Sequence, residues 1–584
     1  MALALGASVL ASLLLRAAPA AAKIEVEIPD VEPEVASNIH AFLSLTRYAE
    51  RTDIPPEVMS RLQRRIVTET RRALEPLGYY EPDVTYDTTR NGEDWKVVLH
   101  VTPGRPIRLS EVSVKTTGPG ENEHALREII DERALKPGRR LNHGTYESVK
   151  GALVRAARND GYLDARLTRN ELVIDRKERR ANVNIELETG PRYHYGAIAT
   201  EQTVIVDSAM RRMLRMKEGD PYTLDSLLRT QYVLDDSQYF KSVNIESGDA
   251  DREALTVPVT ITADANRRHR YAASLGYATD TRARGRFTWD HRRVNDKGHR
   301  AQVELIGSDV LNQISGRYVI PVMDVALEKL EFGAALKDEE LGDTRSKRSE
   351  ISSGLTQVLG SWQRVLSVTL SNEQTISPPP SETEPGSTDT AFLIIPAISF
   401  ATLPYYVLGG ETRSYAIYGE LRGSPSTLGS DSSFLQFRSQ VERIFHFSDR
   451  WSLRGRLELG ASWLEEELEE LPASQRFFAG GDRSVRGFAL NELSPKDEAG
   501  NNIGGKNLLT GTLEFERALP RNFGAAVFCD FGNAFNNFGD PLEYSVGLGA
   551  RWHVAVASIG IDVAQALSES GRNPRLHFYI STLL

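Results

Sequence analysis

The chain has one cysteine, Cys529, in 584 residues, which excludes an internal disulfide framework. Positive charge is in the minority, with 70 Lys and Arg against 80 Asp and Glu and a net charge of -10. No segment gathers basic residues without interleaved acids, which argues against a nucleic-acid partner. Histidine is sparse, 11 in all. No His-Glu-x-x-His pair occurs, so a metallopeptidase has no support. Gly-x-Ser-x-Gly and the glycine-rich phosphate loop are missing too, and with them two common enzyme signatures. The reading is a protein that is not an enzyme and takes neither metal nor other cofactor. Long apolar runs are also lacking: beyond residue 22 none approaches the ~18 residues of a membrane helix.

The one apolar stretch is the start, "MALALGASVLASLLLRAAPAAA", residues 1–22. It ends in small residues, with Ala18-Pro19-Ala20 or Ala20-Ala21-Ala22 fitting a cleavage site, and reads as a secretory signal. A chain that leaves the cytoplasm without an apolar helix is either soluble or spans as a barrel.

Residues 23–266 repeat themselves. Helical stretches run into "LGYYEPDVTYD", "DGYLDARLTRN" and "SQYFKSVNIES", and Gly78, Gly161 and Gln238 fall at roughly 80-residue intervals, as in duplicated domains. Each is followed by an alternating strand: "WKVVLHVTPG", "ANVNIELETG" and "LTVPVTITAD". A second landmark keeps register, "LKPGRRLN" around Gly138 and "MKEGDPYT" around Gly219. The order is strand, helix, helix, strand, strand, with helices on one face of a small sheet whose edges stay open to an added strand.

From residue 267 onward the period is two. "RYAASLGYATD" places Tyr271, Ala273, Leu275 and Tyr277 on one face, and "WSLRGRLELG" separates Trp451, Leu453, Leu457 and Leu459 from Ser452, Arg454, Arg456 and Glu458. Residues 267–584, at about 20 residues per strand and connection, give roughly 16 strands, a size that suits a membrane barrel with its polar faces inward. The end, "RLHFYISTLL", suits a closing strand.

The longest connection, about 465–506, contains "RFFAGGDRSVRGF". Gly480 and Gly481 permit a tight bend of positive φ, and Phe477, Phe478 and Phe488 supply bulk. A buried arginine needs an anion. In "TGTLEFERAL" Glu514 lies on the polar face, and in "AAVFCDFGNAF" Asp530 shares a face with Phe528, Gly532 and Ala534, while Cys529 faces lipid. The loop is therefore expected to enter the lumen, with Arg486 paired to Asp530 and Glu514 and with Gly532 and Ala534 leaving room for it.

"GGDRSVRGF", followed by "LEFERALP" and "VFCDFGNAF", resembles the outer-membrane assembly superfamily, in which POTRA domains precede a 16-stranded barrel and a VRGF/Y loop enters the lumen. With three upstream repeats, the chain is most similar to the TamA branch, the outer-membrane subunits of translocation and assembly modules. The resemblance places the loop motif on Gly480, Gly481, Asp482, Arg483, Val485, Arg486, Gly487 and Phe488, and its lumen partners on Glu514 and Asp530. The penultimate strand, "VAVASIGIDVAQAL", lacks the prolines often found there in the family, and the closing strand lacks a terminal aromatic.

The resemblance implies α+β POTRA domains over 23–106, 107–195 and 196–266, after a signal peptide at 1–22, and an all-β transmembrane barrel over 267–584. It further implies residence in the outer membrane of a Gram-negative bacterium with the POTRA domains in the periplasm. Its expected partners are a TamB-like periplasmic protein, nascent outer-membrane proteins such as autotransporters, and outer-membrane lipid. The expected role is insertion or translocation of clients through POTRA docking and a lateral seam between the first and last strands. Lipid transport with the same partner, and a two-partner-type secretion pore, are the alternatives.

Overall fold

The computed structural model describes residues 24–49, 55–91, 94–132, 134–325, 327–379, 385–403, 415–448, 450–554 and 557–582. The signal segment expected at 1–22 lies outside them. The first repeat contains β1 (Ile24–Glu27), α1 (Pro33–Phe42), α2 (Pro56–Leu74), β2 (Asp83–Asn91) and β3 (Asp94–Thr102). The second contains β4 (Arg108–Thr117), α3 (His124–Asp131), α4 (His143–Asn159), β5 (Arg166–Asp175) and β6 (Arg180–Glu188). The third contains β7 (His194–Glu201), α5 (Asp207–Met213), α6 (Leu224–Asp236), β8 (Phe240–Ser247) and β9 (Thr256–Ala265).

The sheets are ordered β1-β3-β2, β4-β6-β5 and β7-β9-β8, so the last strand of each repeat is central. Position in the sheet explains the patterns: β6 buries Ala181, Val183, Ile185 and Leu187 in strict alternation, as a central strand under helices must. Helix α2 buries Met59, Leu62, Ile66 and Ala73, the three-and-four spacing of one helical face. Asn142 caps α4 by accepting from the Thr145 amide at 3.2 Å.

One joint recurs. After α2, Gly78 takes φ 87°, and its carbonyl accepts from the Ile107 amide at 2.9 Å. After α4, Gly161 takes φ 91°, and its carbonyl accepts from the Tyr193 amide at 2.9 Å. In the third repeat Gln238 holds φ 62° without being glycine, and the neighbouring Tyr239 carbonyl accepts from the Asn266 amide at 2.9 Å. The roughly 80-residue period in sequence is thus the period of a chain crossing.

Sixteen antiparallel strands form a closed barrel. Its first eight are β10 (His269–Ala278), β11 (Arg282–His291), β12 (Arg300–Ser308), β13 (Leu311–Pro321), β14 (Lys329–Leu341), β15 (Thr344–Leu359), β16 (Trp362–Ile376) and β17 (Thr388–Thr402). The rest are β18 (Tyr415–Ser424), β19 (Phe434–Ser448), β20 (Trp451–Leu464), β21 (Asn507–Leu519), β22 (Phe523–Phe535), β23 (Glu543–Val554), β24 (Ala557–Ala566) and β25 (Arg575–Thr582). Outward positions such as Leu275, Leu336, Leu513, Val527 and Leu548 are exposed, while Glu514, Phe528 and Asp530 on the other face are buried. This inversion of the soluble pattern identifies a wall meant for lipid. Stacked rings, Trp451 with Phe515 and Phe523 with Trp552, lie at one rim, where interfacial aromatics belong.

The third repeat meets that rim. The Tyr239 hydroxyl donates to the Gly298 carbonyl at 2.5 Å, the Val206 amide donates to the Asp296 carbonyl at 2.9 Å, and Arg215 pairs with Asp324 at 2.7 Å. Burial pushes the Tyr239 phenol pKa up.

Candidate functional site

The connection from β20 to β21 folds back into the lumen. Its neck is tied by Arg476, which donates to the carbonyls of Leu471, Ile503 and Glu469 at 2.7, 2.9 and 2.8 Å. Phe477 and Gly505 exchange backbone hydrogen bonds at 2.9 and 2.8 Å, and Ala479 and Leu493 exchange two more at 2.9 Å. On one side the neck leans on the mid-barrel wall: the Ser474 amide donates to Glu373 on β16 at 3.1 Å, and Gln436 on β19 donates to the Gln475 carbonyl at 2.8 Å.

The tip explains the paired glycines. Gly480 and Gly481 hold φ 99° and 96°, a region that costs other residues ~1–2 kcal/mol. A Cβ on Gly481 would stand 2.7 Å from the Asp280 carboxylate, and one on Gly487 would stand 2.7 Å from Ser545 and 3.0 Å from Ala566. At Gly481 the Asp280 carboxylate, and at Gly487 the Ser545 side chain and the Ala566 backbone, leave no room for a side chain without displacement. Val485 and Phe488 are fully buried with Phe477, Leu508 and Ala534, and Arg572 lies 4.6 Å over the Phe488 ring.

Arg486 sits at the centre of a buried charge cluster. Its Nε and Nη2 donate to Asp530 at 2.8 and 2.9 Å, a bidentate pair, and its backbone amide adds a third bond to Asp530 at 3.2 Å. Nη1 donates to Glu514 at 2.7 Å and to Asp562 at 3.3 Å. The guanidinium lies 3.2 Å from the centre of the Phe528 ring, so its flat face is covered by aromatic surface while its edge is satisfied by charge. Arg551 completes the cluster by pairing with both Asp562 oxygens and, at 3.5 Å, with Glu514. Asp530 is fully buried and Arg486 is 6% exposed. Three carboxylates against two guanidiniums, out of water, form an arrangement in which loss of one cation strands an anion.

Among the residues named from sequence, Val485, Gly487 and Phe488 pack the tip, and Arg486 meets Glu514 and Asp530. Asp482 turns to the last strand, where it meets His577 Nδ1. Arg483 is exposed and lines a lumenal cavity of about 630 Å³ with Arg438, Glu442, Arg456 and Glu458. Gly532 was expected to leave room for Arg486, but it takes φ 149° with its backbone against the Leu509 carbonyl. It relieves a crowded ladder, while the space beside Arg486 is filled by Phe528. Sequence reasoning missed Arg551 and Asp562 as members of the cluster, although both lie on the inward face by simple alternation. It also missed Asp280, Arg476 and His577.

Asp280, Asp482 and His577 bring three possible metal-ligand atoms within 4.8 Å of one another. However, both His577 nitrogens are engaged, Nδ1 with Asp482 and Nε2 with the Arg486 carbonyl at 2.5 Å. The trio is a hydrogen-bond chain.

Most ladders around the barrel are long: β15 and β16 pair from Arg345 opposite Ile376 to Leu359 opposite Trp362, while β17 and β18 pair among the described residues from Ala397 opposite Arg422 to Ala401 opposite Tyr418. The closure of β10 on β25 is short, with register pairs among the described residues only at Tyr277 opposite Ile580 and Ala278 opposite Tyr579. Thr279 extends it through its amide to the Phe578 carbonyl at 3.1 Å, and the Phe578 amide donates to the Thr279 hydroxyl at 2.8 Å.

Three family models match the chain: the Omp85 superfamily domain over 412–582, POTRA domain TamA domain 1 over 25–103, and the POTRA model described as surface antigen variable number repeat over 193–266. A similar curated protein is the outer membrane protein assembly factor BamA of Nitratidesulfovibrio vulgaris, 29% identical over 171 residues. That match covers 28% of this chain and 21% of the relative's own length. Among solved structures, BamA from Haemophilus ducreyi lacking POTRA domains 1–3 shares the fold, with a TM-score of 0.60, 15% identity, and coverage of 81% of this chain and 99% of that one. CdiB from Acinetobacter baumannii aligns at TM-score 0.46 and 12% identity over 89% of this chain and 98% of its own. With POTRA models matched over 25–103 and 193–266, and the Omp85 superfamily domain matched over 412–582 inside the closed sixteen-strand barrel, the chain is an outer-membrane β-barrel protein with POTRA domains in the periplasm, similar to the Omp85 superfamily.

Proposed function

We propose that this protein assembles other outer-membrane proteins, autotransporters among them, as the TamA-type subunit of a translocation and assembly module. A TamB-like protein that spans the periplasm docks at the POTRA domains, at the first of them in this reading. The open sheet edges β1, β2, β4 and β5 offer backbone groups to a partner or client strand. Loop residues Gly480 to Phe488, with Arg486 on Glu514 and Asp530, brace the barrel while its seam parts.

The observation that carries the reading is the seam between β10 and β25. In lipid an unpaired strand edge is costly, so a short ladder is unexpected in a passive pore and is suited to a wall that opens to template an incoming strand. The match of POTRA domain TamA domain 1 to residues 25–103 favours the TamA branch, and the similarity to an outer membrane protein assembly factor supports outer-membrane protein assembly as the general role.

The test is a radiolabelled autotransporter added to liposomes that hold this protein together with its periplasmic partner. Assembly predicts a client that becomes heat-modifiable and protease-resistant in the bilayer. No gain over empty liposomes, with lipid exchanged instead, would move the role to lipid transport. Release of a client into the liposome lumen would place it with secretion pores.

A further inference from the structure

The lumen loop reaches both ends of the barrel sheet at once. On the side of the first hairpin, Asp280 lies in the turn between β10 and β11, and its side chain is 3% exposed. Its carboxylate accepts from the Asp482 amide at 2.7 Å, packs on Gly481, and lies 3.6 Å from Arg575 on β25. On the side of the last strand, His577 is 1% exposed. Its ring is held between the Asp482 carboxylate and the Arg486 carbonyl, which is 2.5 Å from Nε2. Asp482 therefore touches the first hairpin with its backbone and the last strand with its side chain.

We propose that Asp280, Asp482 and His577 form a latch that holds the β10–β25 seam shut through the loop. They act as positioning residues for the two strands that must separate. Two register pairs at Tyr277 and Ala278 leave most of β10 without a partner in β25. Buried polar links at the same end of the seam take over closure that backbone pairing supplies elsewhere. Because these links run through the loop tip, the seam opens when the tip moves, and a tip fixed by Arg486 keeps it closed. Gly481 belongs to this device, since any side chain there would push Asp280 off the loop.

The latch needs no client, so its test stands apart from the assembly reading. In the full-length protein in outer-membrane vesicles, with Cys529→Ala, a disulfide is formed between Tyr277→Cys and Ile580→Cys, which face each other across the seam. The Cβ spacing of such a cross-strand pair is close to that of a disulfide. Ile314→Cys with Leu336→Cys, opposite each other in β13 and β14, reports on an ordinary ladder.

His577→Ala and Asp280→Ala should each slow oxidation of the seam pair about tenfold, equivalent to about 1.4 kcal/mol if rate follows the closed population. The β13–β14 pair should keep its rate. Asp280→Asn keeps an oxygen for the Asp482 amide and should stay within about twofold of the parent. The links lie in series, so the double alanine variant should be no slower than the slower single. If His577→Ala fails to give a heat-modifiable barrel, Asp280→Ala, in the turn, carries the test. An unchanged seam rate in Asp280→Ala, equal slowing of both cysteine pairs, or multiplied effects in the double variant would overturn the latch.

Discussion

The two halves of this chain fasten their parts by opposite means. In the POTRA region the joints are backbone to backbone: the carbonyls of Gly78 and Gly161 receive amides from the following repeat, and the sheets leave their edges to water. In the barrel the corresponding fastening is a side-chain cluster, with Arg486 and Arg551 among Glu514, Asp530 and Asp562. The difference follows the solvent. Water satisfies an open edge at little cost, so a joint there needs only shape and a few amides. Away from the short β10–β25 seam, a barrel wall has few spare backbone groups to lend, because its ladders consume them. The loop is therefore held largely by side chains, and where these are buried, charged ones bind strongly only when all are matched.

The side-chain fastening of the barrel depends most on Arg486. Arg486→Ala leaves Asp530 and much of Glu514 without their cation, and should cost about 3–5 kcal/mol. The folded band should convert at lower temperature on semi-native gels, and client assembly should fall while the protein remains in the membrane. Normal assembly by a stably inserted Arg486→Ala variant would refute the bracing role.

Gly481→Val should cost less, about 1–2 kcal/mol of backbone strain plus displacement of Asp280. It should raise proteolysis of the loop from outside the cell while leaving the POTRA region intact.

The POTRA joints are sharpened by a pair of glycines. Gly161→Ala places a Cβ against the Tyr222 carbonyl, whereas Gly138→Ala, at φ 84°, meets nothing within 4 Å. Gly161→Ala should therefore destabilise the joint beyond the ~1 kcal/mol of positive-φ strain common to both, as read by amide exchange at Tyr193 and Tyr222. Equal effects would mean that the joint tolerates side chains.

The smallest effect is expected at Tyr239→Phe, which removes one hydrogen bond to Gly298 at the rim, about 1 kcal/mol. It should speed exchange of the amides between the third repeat and the barrel. Burial holds the Tyr239 phenol above its ordinary value of 10.0. Its contribution should be complete below pH 10 and fade as pH rises from there toward the folded-state value, because the unfolded phenol ionises first.

Period-two patterning alone separated lumen from lipid in the strands, which is why Glu514 and Asp530 stood out beside a buried arginine. The same patterning puts Arg551 and Asp562 on the inward face, but a lone arginine in a strand carries no local sign of its partner. Asp280 and His577 are 297 positions apart by number and meet only through barrel closure and the loop tip, a register that no local pattern encodes. Gly532 shows the converse: small size is visible in sequence, whereas a φ of 149° forced by a ladder is not.

The loop also sets an order for making the barrel. Its tip meets every strand that follows it in the chain: Glu514 on β21, Asp530 on β22, Ser545 on β23, Asp562 on β24 and His577 on β25. Relative to Arg486 the hydrogen-bonded partners lie 28, 44, 76 and 91 residues downstream. Loop closure costs more at each step, so the tip is a mould against which successive hairpins can settle. The last five strands of this protein should then acquire protection from exchange together with the loop, and later than the long β14–β17 ladders, which meet the neck of the loop and not its tip.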